Sequence, residues 1–276
     1  MQKQFLYHNK KISYTIAGEE NAPVVVLLHG FGENRSIWKN QLETLKDFRL
    51  IIPDIPGSGQ SEMIENMRIE GIANALFHLM NHEISALPHS PAPHFTLIGH
   101  SMGGYITLAF AEKYPDMLNG FGLFHSTAYA DSPEKVQTRK KGIAFIQKHG
   151  PFEFLKTSIP NLYSPLTRER HPSLIKEHLD SVHNFSEAAL VMYYESMIER
   201  PDRVNILKNS TIPVLFILGK HDTAVPLKDG LEQCFLPSLS YIHVLDESAH
   251  MGMIEEQEKT NEILLNYLLS IDHQTP

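Results

Sequence analysis

The chain lacks the materials for several functions. It has a single cysteine, Cys234, so no disulfide can form within its 276 residues and nothing calls for an oxidising compartment. Set in the apolar run Cys234-Phe-Leu236, that cysteine reads as a small buried hydrophobe. Positive charge is short as well: 24 Lys and Arg against 32 Asp and Glu give a net charge of -8, which argues against a phosphate-binding face and so against a nucleic-acid partner. The one basic run, Arg139-Lys140-Lys141, reads as solvated helix surface. No apolar run approaches the length of a membrane span, and the segment Met1 to His8 lacks the apolar stretch of a secretory signal, so the cytoplasm is the expected location and no membrane partner is expected. Sixteen histidines raise the question of metal, but His78 and His82, four apart on a helical segment, have no cysteine or carboxylate at zinc spacing beside them. They read as exposed, and neither a metal nor a cofactor is expected. Internal repeats and low-complexity segments are missing too.

Short apolar strands alternating with helical segments are what the chain does contain. Residues 4 to 8 and 11 to 17 read as a hairpin around His8-Asn9-Lys10. Val24 to Leu28, Arg49 to Pro53, Phe95 to His100, Leu118 to Phe124, Pro213 to Leu218 and Tyr241 to Leu245 read as buried strands, and the helical segments between them suit a parallel sheet covered on both faces. A helix is expected around Trp38, Leu42 and Leu45, another up to about Leu87, a connection over Pro88 to His94, and a terminal helix over 255 to 269 with frayed residues from Asp272. From Thr127 to Asn205 no buried strand is legible; helical stretches over 133 to 149, 151 to 158, 172 to 184 and 186 to 199 replace it. Such a length is too great for an unstructured loop, so a helical lid inserted between two strands is expected. Its large apolar side chains, Phe145, Tyr163, Met192 and Tyr193 among them, are candidates to roof a substrate pocket, together with Met251.

Chemistry is concentrated at strand ends. Gly99-His-Ser101-Met-Gly103 lies between a strand and a helix, the setting in which G-x-S-x-G lifts a serine hydroxyl clear of the sheet. Serine is a poor nucleophile at neutral pH and needs a base and a group that orients the base. Candidates follow in the order Ser101, Asp222, His250, each just past a strand and therefore on one edge of a parallel sheet. Asp246 is the rival acid, but it lacks the Gly219-x-x-Asp222-x-x-x-Pro226 setting. His100 and His221 adjoin triad candidates and His243 lies inside a strand, so His250 is preferred as base. Asp54 reads as the organiser of the polar loop that it opens.

On His29-Gly-Phe-Gly32, the loop Asp54 to Ser61, Gly99 to Gly104, Gly219 to Pro226 and His250 to Glu255, nearly the whole chain resembles the α/β-hydrolase superfamily, in the branch of small hydrolases with a helical cap. The resemblance implies a mostly parallel sheet flanked by helices, a core over 1–126 and 206–276, and a cap over 127–205. It also implies Ser101 as nucleophile, His250 as general base, Asp222 as the residue fixing the imidazole tautomer, and the backbone N–H groups of Phe31 and Met102 as an oxyanion hole. His29 is then a hydrogen-bonder beneath that turn. Two positions depart from common relatives, Ala249 in place of glycine and Gly32 in place of the proline of dehalogenases and perhydrolase-like enzymes; serine at 101 also counts against dehalogenases and epoxide hydrolases. The expected activity is cofactor-free hydrolysis of a small ester or related acyl compound. A carbon–carbon bond hydrolase of the ring-fission type, a thioesterase or lyase, and a non-catalytic small-molecule receptor remain open alternatives, and oligomeric state is not legible.

Overall fold

A computed structural model describes residues 1–85 and 94–272 of the chain. Eight strands form one sheet: β1 (Gln2–Tyr7), β2 (Lys10–Ala17), β3 (Val24–Leu28), β4 (Arg49–Pro53), β5 (Phe95–His100), β6 (Leu118–Phe124), β7 (Val214–Gly219) and β8 (Ser240–Leu245). Their spatial order is β1-β2-β4-β3-β5-β6-β7-β8. The hairpin β1–β2 and the β2–β4 pair are antiparallel; every pairing from β4 to β8 is parallel. Strands β3, β4, β5 and β7 are buried at every residue, as unbroken apolar runs demand when helices cover both faces.

Helices α1 (Ile69–Ser85) and α2 (Met102–Lys113) complete the first half. Between β6 and β7 the chain is helical: α3 (Pro133–His149), α4 (Pro151–Ser158), α5 (Pro165–Arg170), α6 (Pro172–Ser181), α7 (Glu187–Glu199) and α8 (Val204–Lys208). Prolines at first-turn positions and serine caps start these helices, with Ser132, Ser164 and Ser186 accepting from the N–H three residues on. Three more helices, α9 (Leu227–Gln233), α10 (Gly252–Glu255) and α11 (Gln257–Asp272), close the fold.

Three expectations need correction. The segment around Trp38 is a 3-10 helix over Arg35–Gln41, and its last residue is tied to the C-terminal part of the chain: Gln41 Nε2 donates to the Met253 carbonyl at 3.0 Å and to Asn261 Oδ1 at 2.9 Å. The terminal helix is broken at Glu256, where the backbone leaves helical torsions as the carboxylates of Glu255 and Glu256 turn back to accept from the loop before them. Helix α5 lies within what the sequence leaves as a gap. The expected connection over Pro88 to His94 lies, apart from His94, outside the described residues, and so do the last four residues. No helix among the described residues is long and apolar enough to cross a membrane.

Candidate active site

The sheet order reverses at β3, which lies between β4 and β5, so the loops after β3 and β5 diverge and leave a crevice at the strand ends. Register then sets what meets there. Leu28 pairs with Gly99 and Gly219 pairs with Leu245, which puts the turns after β3 and β5, and those after β7 and β8, side by side.

Ser101 occupies the elbow with φ 51° and ψ -115°, a conformation that a non-glycine residue holds only when its surroundings impose it. The close passage is visible at the flanking glycines. A Cβ at Gly99 would overlap the Gly103 backbone, and one at Gly103 would lie 2.6 Å from the His29 carbonyl oxygen. Ser101 Oγ is 2.8 Å from His250 Nε2, and His250 Nδ1 is 2.6 Å from Asp222 Oδ2. Asp222 is buried, and its other oxygen accepts from the N–H groups of Ala224 and Val225 at 2.8 and 2.9 Å. Burial opposes charge on this carboxylate, but His250 and the hydrogen bonds overcome it and hold Asp222 below the usual range. The three side chains therefore stand in hydrogen-bonding order. Asp246, the rival acid, is exposed and pairs with Lys220 and Lys259.

Several groups that support this arrangement carry no signal in the sequence. Glu255 Oε1 accepts from the N–H of Ala249 at 2.9 Å and of Met251 at 3.3 Å, clamping the backbone on both sides of His250, while Oε2 accepts from Ser164 N–H. His125 is fully buried; its Nε2 accepts from Gly252 N–H at 3.1 Å, so the proton is on Nδ1, 3.7 Å from Asp222 Oδ2. Burial pushes His125 far down, which keeps it neutral. Glu33 and His100 form a second buried pair at 3.0 Å. Glu255 closes the His250 to Glu255 stretch already singled out in the sequence, whereas Glu33 and His100, like His125 and Gly252, lie many positions apart and no spacing pairs them. His29 and Asp54 have the structural parts expected of them. His29 Nε2 accepts from Ile55 N–H, and Asp54 accepts from the N–H groups of Arg35 and Gln60.

Above the serine lies a cavity of about 810 Å³, in the size range of small-molecule sites. Its wall includes Ser101, His250, Phe31, Glu33, Tyr105, Leu155, Ile159, Leu162, Tyr194 and Met197, with Asp131, Lys135, Arg139 and Arg200 forming a charged part. None of the expected roofing residues, Phe145, Tyr163, Met192, Tyr193 and Met251, lines it. Tyr193 is buried outside the cavity, donating to the Pro56 carbonyl at 2.6 Å and meeting Phe31 only edge-on at 6.3 Å, whereas its neighbour Tyr194 stacks flat on Phe31 at 4.3 Å between ring centroids. Tyr163 is hydrogen-bonded to His178, Phe145 packs on His149 at a half-open surface, Met192 is half-buried among core neighbours, and Met251 is buried directly behind His250. A helix turns its side chains by about 100° per residue, so the composition of the lid fixed which residues are large and not which way they face. Arg139 also departs from expectation. It is turned inward, bidentate on Asp131, and Asp131 in turn accepts from Arg200 at 2.9 Å, while Lys140 and Lys141 are exposed.

Residues 23–123 match the model of the alpha/beta hydrolase fold. Over 92% of its length the chain is 28% identical to a putative carbamate hydrolase of Agrobacterium fabrum, of which it covers 96%. It is 27% identical to a 2-hydroxy-6-oxononadienedioate/2-hydroxy-6-oxononatrienedioate hydrolase of Paraburkholderia phymatum, over 92% of this chain and 88% of that one. Among solved structures, a thermophilic esterase from Thermogutta terrifontis superposes with a TM-score of 0.88 at 27% identity, covering 98% of this chain and 99% of the other.

Proposed function

We propose that this chain, whose residues 23–123 match the alpha/beta hydrolase fold, cleaves a small ester or related acyl compound through a serine nucleophile, without a cofactor. The observation that carries this reading is the unbroken line Ser101 Oγ, His250 Nε2, His250 Nδ1, Asp222 Oδ2, at 2.8 and 2.6 Å. In the first step Ser101 Oγ attacks the substrate carbonyl carbon and its proton passes to His250 Nε2. Asp222 holds the imidazole with its proton on Nδ1 and stabilises the imidazolium that forms. The carbonyl oxygen becomes an oxyanion, which the N–H groups of Phe31 and Met102 receive. Met102 opens α2, so its N–H has no acceptor within the helix, and the helix end favours negative charge. Collapse of the tetrahedral species breaks the bond to the leaving alkoxide, which takes the proton from His250 and leaves an acyl-Ser101. Water, deprotonated by His250, then releases the acid and restores the serine.

Residues 127–205 act in this reading as a cap, with Leu155, Ile159, Tyr194 and Met197 supplying the apolar wall against which the acyl or alcohol part rests. A fluorophosphonate probe followed by peptide mass mapping tests the nucleophile, and an ester chain-length series then sizes the pocket. The reading predicts a single adduct on Ser101; p-nitrophenyl ester turnover at the wild-type rate by a folded Ser101→Ala variant would remove it. The second reading is carbon–carbon bond hydrolysis of the ring-fission type, kept because a 27% identical relative from Paraburkholderia phymatum is named as a hydrolase of 2-hydroxy-6-oxononadienedioate and 2-hydroxy-6-oxononatrienedioate. Parallel assays of a vinylogous diketone and simple esters separate the two, and a large preference for the diketone reverses the ranking.

A further inference from the structure

Glu33 follows the His29-Gly-Phe-Gly32 turn after β3, and His100 is the last residue of β5; both are buried. A single carboxylate oxygen, Glu33 Oε2, lies 2.6 Å from Gly30 N and 3.0 Å from His100 Nδ1. On the far side of the ring, His100 Nε2 lies 2.9 Å from the backbone oxygen of His250. A carbonyl oxygen can only accept, so Nε2 carries a proton. The bond at Nδ1 then has its proton on either the ring or the carboxyl. The Gly30 N–H, a backbone donor that cannot be withdrawn, already points at Oε2, and a hydrogen bond to the charged form favours the anion. His100 therefore has a proton on each ring nitrogen.

We propose that Glu33 and His100 are positioning residues, a resident carboxylate–imidazolium pair that fixes the oxyanion turn and the loop of the general base relative to each other. The pair spans from Gly30, next to Phe31, to the carbonyl of His250, and so reaches both sides of the reacting carbon in the mechanism proposed above, on which this assignment of role rests. Its neutrality matters as much as its bonds. The rings of His100 and His250 are 5.0 Å apart, and an unaccompanied cation there would oppose the imidazolium that His250 becomes.

The other titratable groups around the pair agree with this charge state. Burial opposes ionisation of Glu33, yet the charge of His100 and its hydrogen bond hold it at about 2. Burial likewise opposes charge on His100, and Glu33, the His250 carbonyl and Asp222 raise it above the usual histidine value. His29, His178 and His125 are all pushed down, by burial first, and stay neutral. Tyr163, near Glu33, is pushed up by burial and stays protonated.

The test uses the full chain labelled with ¹⁵N-histidine, read by long-range ¹H–¹⁵N correlation between pH 6 and 8.5, and Glu33→Gln kinetics on a p-nitrophenyl ester normalised to fluorophosphonate-titrated sites. Wild type is expected to contain one imidazolium, protonated on both nitrogens and not titrating across the range, that disappears in Glu33→Gln and in His100→Gln. Glu33→Gln is expected to lose roughly 10- to 100-fold in kcat per labelled site with KM within about threefold, the signature of misplaced groups in an otherwise intact pocket. Glu33→Asp, which restores the charge, is expected to recover part of the loss. A His100 with one ring proton at pH 7 overturns the pair, and so does a Glu33→Gln enzyme within twofold of wild type per labelled site. If wild type neither takes the probe nor turns over esters, the serine-hydrolase reading fails, while the wild-type spectrum still decides whether the buried imidazolium exists.

Discussion

Two carboxylate–imidazole pairs stand on opposite sides of the site and differ in what the second ring nitrogen meets. On the side of β7 and β8, Asp222 holds His250, whose Nε2 faces the Ser101 hydroxyl, a group able to give up a proton. On the side of β3 and β5, Glu33 holds His100, whose Nε2 faces the His250 carbonyl, a group that can only accept. In the proposed reading the same two side-chain types supply a proton shuttle in one place and a fixed strut in the other. The neighbour at Nε2 decides which, because it sets whether the imidazole can cycle between one proton and two.

The sharpest way to break this comparison is to remove the shuttle. Ser101→Ala or His250→Ala is expected to lower kcat on the order of 10⁶-fold while leaving the thermal unfolding transition cooperative, because the members act as one unit. Asp222→Asn follows at roughly 10⁴-fold, since the amide favours the wrong tautomer of His250. The strut should cost less: loss of the Glu33 charge shifts groups without removing them, hence the smaller loss predicted above. If Glu33→Gln proves as damaging as Asp222→Asn, the two pairs are not functionally distinct.

Beyond the pairs, α7 gives a finer test. Tyr194→Ala, which opens the cavity wall, is expected to change the ratio of kcat/KM between short and long acyl esters by roughly tenfold. Tyr193→Phe on the next residue should leave that ratio alone and cost about 1 kcal/mol in urea unfolding, through the lost bond to the Pro56 carbonyl. The smallest effect is in pH. His125, His29 and His178 have values below the usual 6.5, so they contribute stability that is fully present above pH 6.5 and lost as pH falls toward their folded values. His100, raised, contributes in the opposite sense: fully below pH 6.5, lost as pH rises through its folded value. With three buried imidazoles opposing one, the urea midpoint is expected to fall from pH 7 to pH 5, and more steeply in His100→Gln, which lacks the compensating group.

Much of the fold is legible because its cause is local. Runs such as Val24 to Leu28 and Phe95 to His100 can only be strands covered on both faces, and Gly99 and Gly103 flank Ser101 because the backbone passes too closely for a Cβ. The positions Ser101, Asp222 and His250 are legible for the same reason, each following a strand that ends at a common edge. The wall of the cavity is not. Tyr193 and Tyr194 are chemically alike and adjacent, and α7 must be docked before one is known to bond to Pro56 and the other to line the cavity. Arg139 reads as surface from its neighbours Lys140 and Lys141, and its inward turn depends on Asp131 lying eight residues earlier at the start of the helical segment.

By itself, then, the order of residues determined the strands, their parallel connection and the three side chains brought to one edge, since apolar runs and tight glycine turns act over a few residues. Tertiary structure alone decided that Glu33 meets His100, that Glu255 clamps the backbone beside His250, and which face of each helix between β6 and β7 looks onto the serine. Those outcomes depend on contacts between segments far apart in the chain, where direction as well as residue type sets the interaction.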